Sequence, residues 1–273
     1  MIGRTARLEL VFERRGAGTA IAHAYAEPPF RIGRSFDIDG AAYVILVCSG
    51  PGIFAGDALQ LSIRVASGAR VVLTSQSALQ VHPSAAASPA AIRHHYVVED
   101  EGELHAQWDP VIPFAGARLD QRFDLQIGEG SRVYWSDALM SGRVSRAETW
   151  RFESLAHQLR LRVGSTLKYL ERYTLTPSEQ TVAHPWVAGG THYLATALTH
   201  HERATADTAE FLQRAIETAG GEGVRVGVDL VGPRLVVGRL LGSCGAPFAA
   251  ARASYQRLVL ESIFDRPHQV PRK

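Results

Sequence analysis

The chain has 273 residues, 46% of them hydrophobic and 21% charged, the balance of an ordinary folded protein built as one large β domain or two smaller ones. A formal net charge of +2 is too small for a nucleic-acid binder. No apolar run approaches the roughly 20 residues a membrane-spanning helix needs.

The opening MIGRTARLELVFERR carries charge with no apolar run behind it, so it does not read as a secretory signal, and the expected compartment is the cytosol. Residues 7–13 alternate apolar with polar and predict a strand. Segments 19–26, 41–48, 58–66 and 69–74 predict further strands, rich in Val, Ile and Leu and broken by Gly or Pro. The pattern continues through 93–99, 103–108, 120–127, 131–136, 150–163 and 166–175. HPSAAASPAAI at 82–92 and the stretch 176–191 predict exposed loops. The texture then changes: 205–219 has helical spacing of Phe211, Leu212, Ala215 and Ile216, with Gly220-Gly221 as a stop. Residues 225–242 return to strands, and 246–264 predict a second helix before a frayed or partner-bound tail. Many short strands without βαβ alternation predict a mainly β fold: a sandwich, a barrel or a coiled stack.

A spacing repeat narrows that choice. Four times a glycine closes a strand-like run and an oxygen-bearing side chain comes seven residues later: Gly68 and Ser75, Gly102 and Asp109, Gly130 and Asp137, Gly164 and Glu171. Strand side chains alternate with a period of two, so equal offsets from equivalent turns place equivalent residues on one face. If the units stack, the four side chains form a column of oxygens along one wall. A slip of one residue in the middle unit would align Trp108 or Pro110 differently.

The motif inventory excludes more than it assigns. Gly50, Gly52 and Gly56 fit GxGxxxG, but no helix comes after them to face a phosphate, and Asp57 reads as a turn cap. Thr74, Ser75, Gln76 and Ser77 read either as a polar strand end or as the lining of a channel. Asp137 reads as a partner for Arg143 or as a functional carboxylate, since a buried acid must be paired or hold a cation. The doublets His94-His95 and His200-His201 cannot chelate one ion from a strand, because neighbours face opposite ways. There is no HExxH, no GxSxG and no cysteine in a nucleophile context. Cys48 and Cys244 lack metal spacing and read as reduced core residues. What remains is a row of oxygens, which would hold a divalent cation weakly, as passage requires.

Two blocks, GPGIFAGDALQLSIRVASGARVVLTSQSALQVHPS and WDPVIPFAGARLDQRFDLQIGEGSRVYWSDALMSGR, resemble the signature of the urease accessory protein D family (UreD, also called UreH). The resemblance continues more weakly through LKYLERYTL and implies a single UreD-like domain over 1–273. It implies a β-helix-like stack with two helices towards the C-terminus. It also implies a scaffold without enzymatic activity that binds apo-urease and the accessory proteins UreF and UreG. No cofactor would be held tightly, and nickel would be in transit along an internal polar tunnel. The matching positions here are Asp57, Thr74, Ser75, Asp137 and Glu171, three of which belong to the spacing column; Asp109 joins them from the column alone. Two other functions compete: a β scaffold that recruits proteins and handles no metal, and a carbohydrate-active enzyme with paired carboxylates such as Asp109 and Asp137. The enzyme would need exposed aromatics beside its acids, and no such cluster is visible.

Overall fold

The computed structural model describes residues 3–83, 88–179, 182, 184, 188–219 and 221–266. Gly220, the tail beyond Arg266 and parts of both expected loops lie outside the described residues.

Two sheets face each other. The seven-stranded sheet runs, in spatial order, Thr166–Leu175, Ser154–Val163, Arg118–Ile127, Ala90–Val98, Ala58–Val65, Thr5–Arg15, Gly18–Ala26. The ten-stranded sheet runs Val224–Gly232, Leu235–Gly242, Tyr193–His200, Arg132–Met140, Glu103–Gln107, Arg70–Ser75, Ala41–Cys48, Phe30–Ile38, with the short strands Leu79–Val81 and Val111–Pro113 alongside. Their central strands are parallel, because the chain coils. Each coil crosses the first sheet, turns at a glycine, crosses the second, passes a short strand and returns. Gly68, Gly102 and Gly130 mark these crossings; Gly68 takes φ +70°, a conformation that favours glycine.

The alternation read from sequence creates the inner face. In Ala58–Val65, Leu59, Leu61, Ile63 and Val65 are buried while Gln60, Ser62 and Arg64 point outward. Stacked coils repeat this row by row, so the space between the sheets fills with Leu, Ile, Val and Phe. A second core lies on the other side of the ten-stranded sheet. There α1 (Ala206–Ala219) and α2 (Gly245–Ser262) cover Tyr134, Ala138, Ala197, Val236 and Leu240. Both helices fall where their spacing predicts.

One expectation needs correction, and two strands lie where none was expected. The fourth glycine turn is not a coil crossing: Gly164 (φ +56°) closes a hairpin, and Thr166–Leu175 folds back antiparallel on Ser154–Val163 within the seven-stranded sheet. The place it would have taken beside Arg132–Met140 is filled by Tyr193–His200, antiparallel. That strand, YLATALTH, has six consecutive buried residues. Burial on both faces erases alternation, and its alanines are weak strand formers, so the pattern did not announce it. Phe30–Ile38 was also missed, because Arg31 and Arg34 lie on an exposed edge strand that reads as surface.

Candidate functional site

Alternation sends Val71, Leu73 and Ser75 to the inner face of the ten-stranded sheet. Val72, and with it Thr74, face the helix side. Thr74 pairs with Gln107 and Gln107 with Ser136, so the row containing Ser75 continues through Trp108 to Asp137. Trp108 rather than Asp109 is thus the in-register member of the middle coil. Asp109 comes one residue later and reaches back: Ser75 Oγ donates to Asp109 Oδ2 at 3.1 Å and accepts the Asp109 backbone N–H at 2.8 Å. Ser75, Asp109 and Asp137 line one cavity of about 80 Å³ between the sheets, with Trp108, His94 and Cys48.

Asp137 pairs in register with Thr196, and Thr196 with Arg239. On the opposite wall the row runs Leu61, His94, Phe123, Leu159, Glu171. Glu171 therefore faces the column from the other sheet and does not extend it. Thr196 Oγ1 donates across the gap to Glu171 Oε1 at 3.5 Å. The other carboxylate oxygen accepts from Tyr169 Oη at 2.7 Å and from an Arg239 guanidinium nitrogen at 2.6 Å. A polar seam thus runs from Ser75 and Asp109, through Asp137 and Thr196, to Glu171.

The electrostatics single out Asp137. Part of it opens to the cavity, yet burial pushes its carboxyl up to about 7, and Glu171 pushes the same way; Arg252 and the Thr196 backbone N–H oppose them. The pairing with Arg143 does not exist. Arg143 bonds Glu148 through two nitrogens at 2.7 and 2.5 Å, because Gly142–Arg143 and Glu148–Thr149 form their own small sheet. His94 is partly buried beside the cavity, 3.0 Å from Tyr96 Oη, and desolvation lowers it to about 3, so it is neutral. Burial also raises the Cys48 thiol, to about 11, and keeps it protonated. Cys244 stands exposed at the start of α2, contrary to its reading as a core residue.

Two of the residues named from sequence lie outside the seam. Asp57 spends its oxygens on the backbone N–H groups of Arg4 (2.8 Å) and Phe54 (2.9 Å), as a turn cap does. Thr74 faces away from the cavity and donates to the Ser75 carbonyl at 3.3 Å.

Two others were overlooked. His157 and Gln121 take inner positions among leucines, and Gln121 Nε2 lies 2.7 Å from His157 Nδ1. The imidazole stacks on Tyr173, with ring centres 4.6 Å apart. Its Nε2 is buried, has no hydrogen-bond partner and lies 3.8 Å from Glu171 Oε1. Burial lowers this histidine to about 4 against the pull of Glu171, so it is neutral near pH 7. The signal was present: in LAHQLRLRV and LDQRFDLQI a polar residue interrupts the apolar inner phase.

Among the described residues no three His, Cys, Asp or Glu side chains converge tightly enough to hold a metal ion. No described helix is long and apolar enough to cross a membrane. A groove of about 530 Å³ lies on the outer face of the seven-stranded sheet. Its arginines are largely engaged: Arg93 and Arg122 share Asp120, and Arg160 pairs with Asp124.

Fold and site together define a β-solenoid-like protein with a polar seam enclosed between its two sheets and two helices closing one side. The sequence profile of the UreD urease accessory protein family matches residues 4–273, and the chain belongs to that family. Urease accessory protein UreD of Sorangium cellulosum (strain So ce56) is 32% identical over 176 residues, 64% of this chain and 56% of that protein, so the match spans little more than half of that relative. UreD 1 of Synechococcus sp. (strain JA-3-3Ab) is 30% identical over 69% of this chain and 70% of its own length. UreD 2 of Streptomyces griseus is 28% identical over 95% of this chain and 90% of its own. The family assignment places the chain in urease maturation.

Proposed function

We propose that the chain is the scaffold through which nickel reaches apo-urease, working in a complex with UreF and UreG, and that the ion is cargo moving along the seam. The observation that carries this reading is Asp137. Among the described residues it makes no ion pair, although it is enclosed deeply enough to be pushed to about 7. Burying a carboxylate is costly. Arg252 offsets only part of that cost, because its guanidinium bonds the Trp108 carbonyl and Ser136 Oγ instead, and a passing divalent cation would supply a further counter-charge. The hydroxyls of Ser75 and Thr196 and the carboxylates of Asp109 and Glu171 lie on either side of it along the seam. Oxygen donors in small numbers bind nickel weakly, which suits release to an acceptor.

The test is Asp137→Ala, co-expressed with urease and its accessory proteins. With Arg143 committed to Glu148, and the buried Arg252 bonded to the Trp108 carbonyl and Ser136 Oγ, losing Asp137 breaks no ion pair, so the variant should melt within about 1 kcal/mol of the parent, far below the roughly 3–5 kcal/mol of a broken buried pair. Urease activation should fall severalfold. Normal activation by the folded variant would overturn the transit role and leave a scaffold that handles no metal.

A further inference from the structure

A path lined only by oxygens would not discriminate nickel from magnesium or calcium, which favour the same donors. We infer that His157 and Glu171 form a two-ligand station for a soft-tolerant divalent cation at the far end of the seam, with Gln121 orienting the imidazole and Arg239 occupying the carboxylate when no cation is there. The proposal rests on the nickel reading above and adds a residue of different chemistry to it.

Four observations meet at this point. His157 is 3% exposed, and its Nε2 has no hydrogen-bond partner, an orphan that a native interior rarely leaves unexplained. That nitrogen is aimed at Glu171 Oε1 across 3.8 Å. The gap is too long for a hydrogen bond, yet it lies within the roughly 4.2 Å that two ligands can span when each is about 2.1 Å from one ion. Gln121 holds Nδ1 at 2.7 Å. The amide oxygen and nitrogen exchange places by a half-turn, after which Oε1 accepts Nδ1–H and leaves the Nε2 lone pair facing Glu171. A metal-bound histidine usually has its second nitrogen fixed in this way. Finally, Glu171 is nearly buried at 11% side-chain exposure, while its partner Arg239 is 58% exposed. The guanidinium can therefore swing into solvent without disturbing the core. While in place it repels cations, and on leaving it vacates an oxygen pair.

Water would complete the coordination, so the station is weak and releases its ion. The imidazole makes it selective, because nitrogen donors favour nickel strongly over magnesium.

The experiment titrates the isolated chain with Ni²⁺ alone and, separately, with Mg²⁺ alone. Arg239→Ala should bind Ni²⁺ about tenfold more tightly than the parent, with Mg²⁺ binding little changed. Adding His157→Phe to Arg239→Ala should abolish that gain. An Arg239→Ala chain no tighter than the parent, or a double variant that keeps the gain, would overturn the station. His157 stacks on Tyr173, so its replacement could harm folding. A second readout therefore uses the intact imidazole: in the Arg239→Ala chain labelled with ¹⁵N-histidine, paramagnetic Ni²⁺ should broaden the His157 resonance first. A His157 signal untouched at saturating Ni²⁺ overturns the proposal. The Asp137→Ala activation assay decides the transit reading separately, since nickel titration of the isolated chain does not depend on urease.

Discussion

At the scale of single residues, Asp137 and Glu103 are buried acids with opposite pH behaviour. Asp137 has a folded pKa of about 7 against an ordinary value of 3.8, so the folded state keeps a proton that the unfolded chain has already lost. Its cost to stability is absent below about pH 4, grows between the two values and is complete above pH 7. Asp137→Asn, which keeps the shape and removes the charge, should therefore raise the melting temperature at pH 8, by a stabilisation on the order of 1–4 kcal/mol. The gain should shrink steadily as the pH falls towards 4. Thermal melts of both proteins across that range check it, and a gain that persists at pH 4 would contradict the assignment. If Asp137 carries the proposed passage of nickel, the same variant should also lower urease activation, so one substitution tests the stability effect and the proposed transport role separately.

At the scale of elements, α2 decides how the ten-stranded sheet is covered. Phe248, Ala251, Tyr255, Val259 and Ile263 are all buried, so the helix is part of the second core. A chain truncated before Ala246 would therefore expose that core to solvent. The contact between helix and sheet is tight where Tyr255 lies on Gly238: a β-carbon there would meet the phenol ring at 2.4 Å. Gly238→Ala should therefore cost about 1–3 kcal/mol through overpacking, read as a lower denaturant midpoint. The Tyr255 hydroxyl is buried without a hydrogen-bond partner. Tyr255→Phe should then be neutral or mildly stabilising, and a clear loss of stability would reveal a partner for that hydroxyl.

At the scale of the whole molecule, one carboxylate ties the end of the helical layer to the coils. Glu103, with 4% side-chain exposure, stands 3.3 Å from His105, 3.7 Å from Arg70, and 3.6 Å from both Arg132 and Arg266. Burial alone would raise its pKa, but His105, Arg266 and Arg70 outweigh it and hold the carboxyl below its ordinary 4.5. Its contribution is therefore present above pH 4.5 and lost as the pH falls through the depressed value, the reverse of Asp137. Glu103→Gln should cost roughly 3–5 kcal/mol near pH 7, because it leaves three arginines around a neutral amide. The difference from the parent should narrow in acid unfolding curves below pH 4.5. A constant difference down to pH 3 would mean that packing, not charge, is what Glu103 supplies.

The sequence by itself determined the local periodicities and their direct consequences: the β content, the inner and outer phase of the alternating strands, both helices and the equal offsets that set Ser75 and Asp137 in one row. These depend on alternation and on glycine turns, which act over a few residues. It also carried the family, because the two glycine- and proline-marked blocks keep their order and spacing. Only the tertiary structure decided that the fourth glycine closes a hairpin, which put Glu171 on the opposite wall, and that an alanine-rich strand fills the vacant place beside Asp137. Only it gave Arg143 to Glu148, turned Thr74 away, and brought His157 to within 3.8 Å of Glu171 on the neighbouring strand. Those outcomes depend on which distant strand is the neighbour and on which partner reaches a charge first. Contacts between residues far apart in the chain settle both, and no local pattern encodes them.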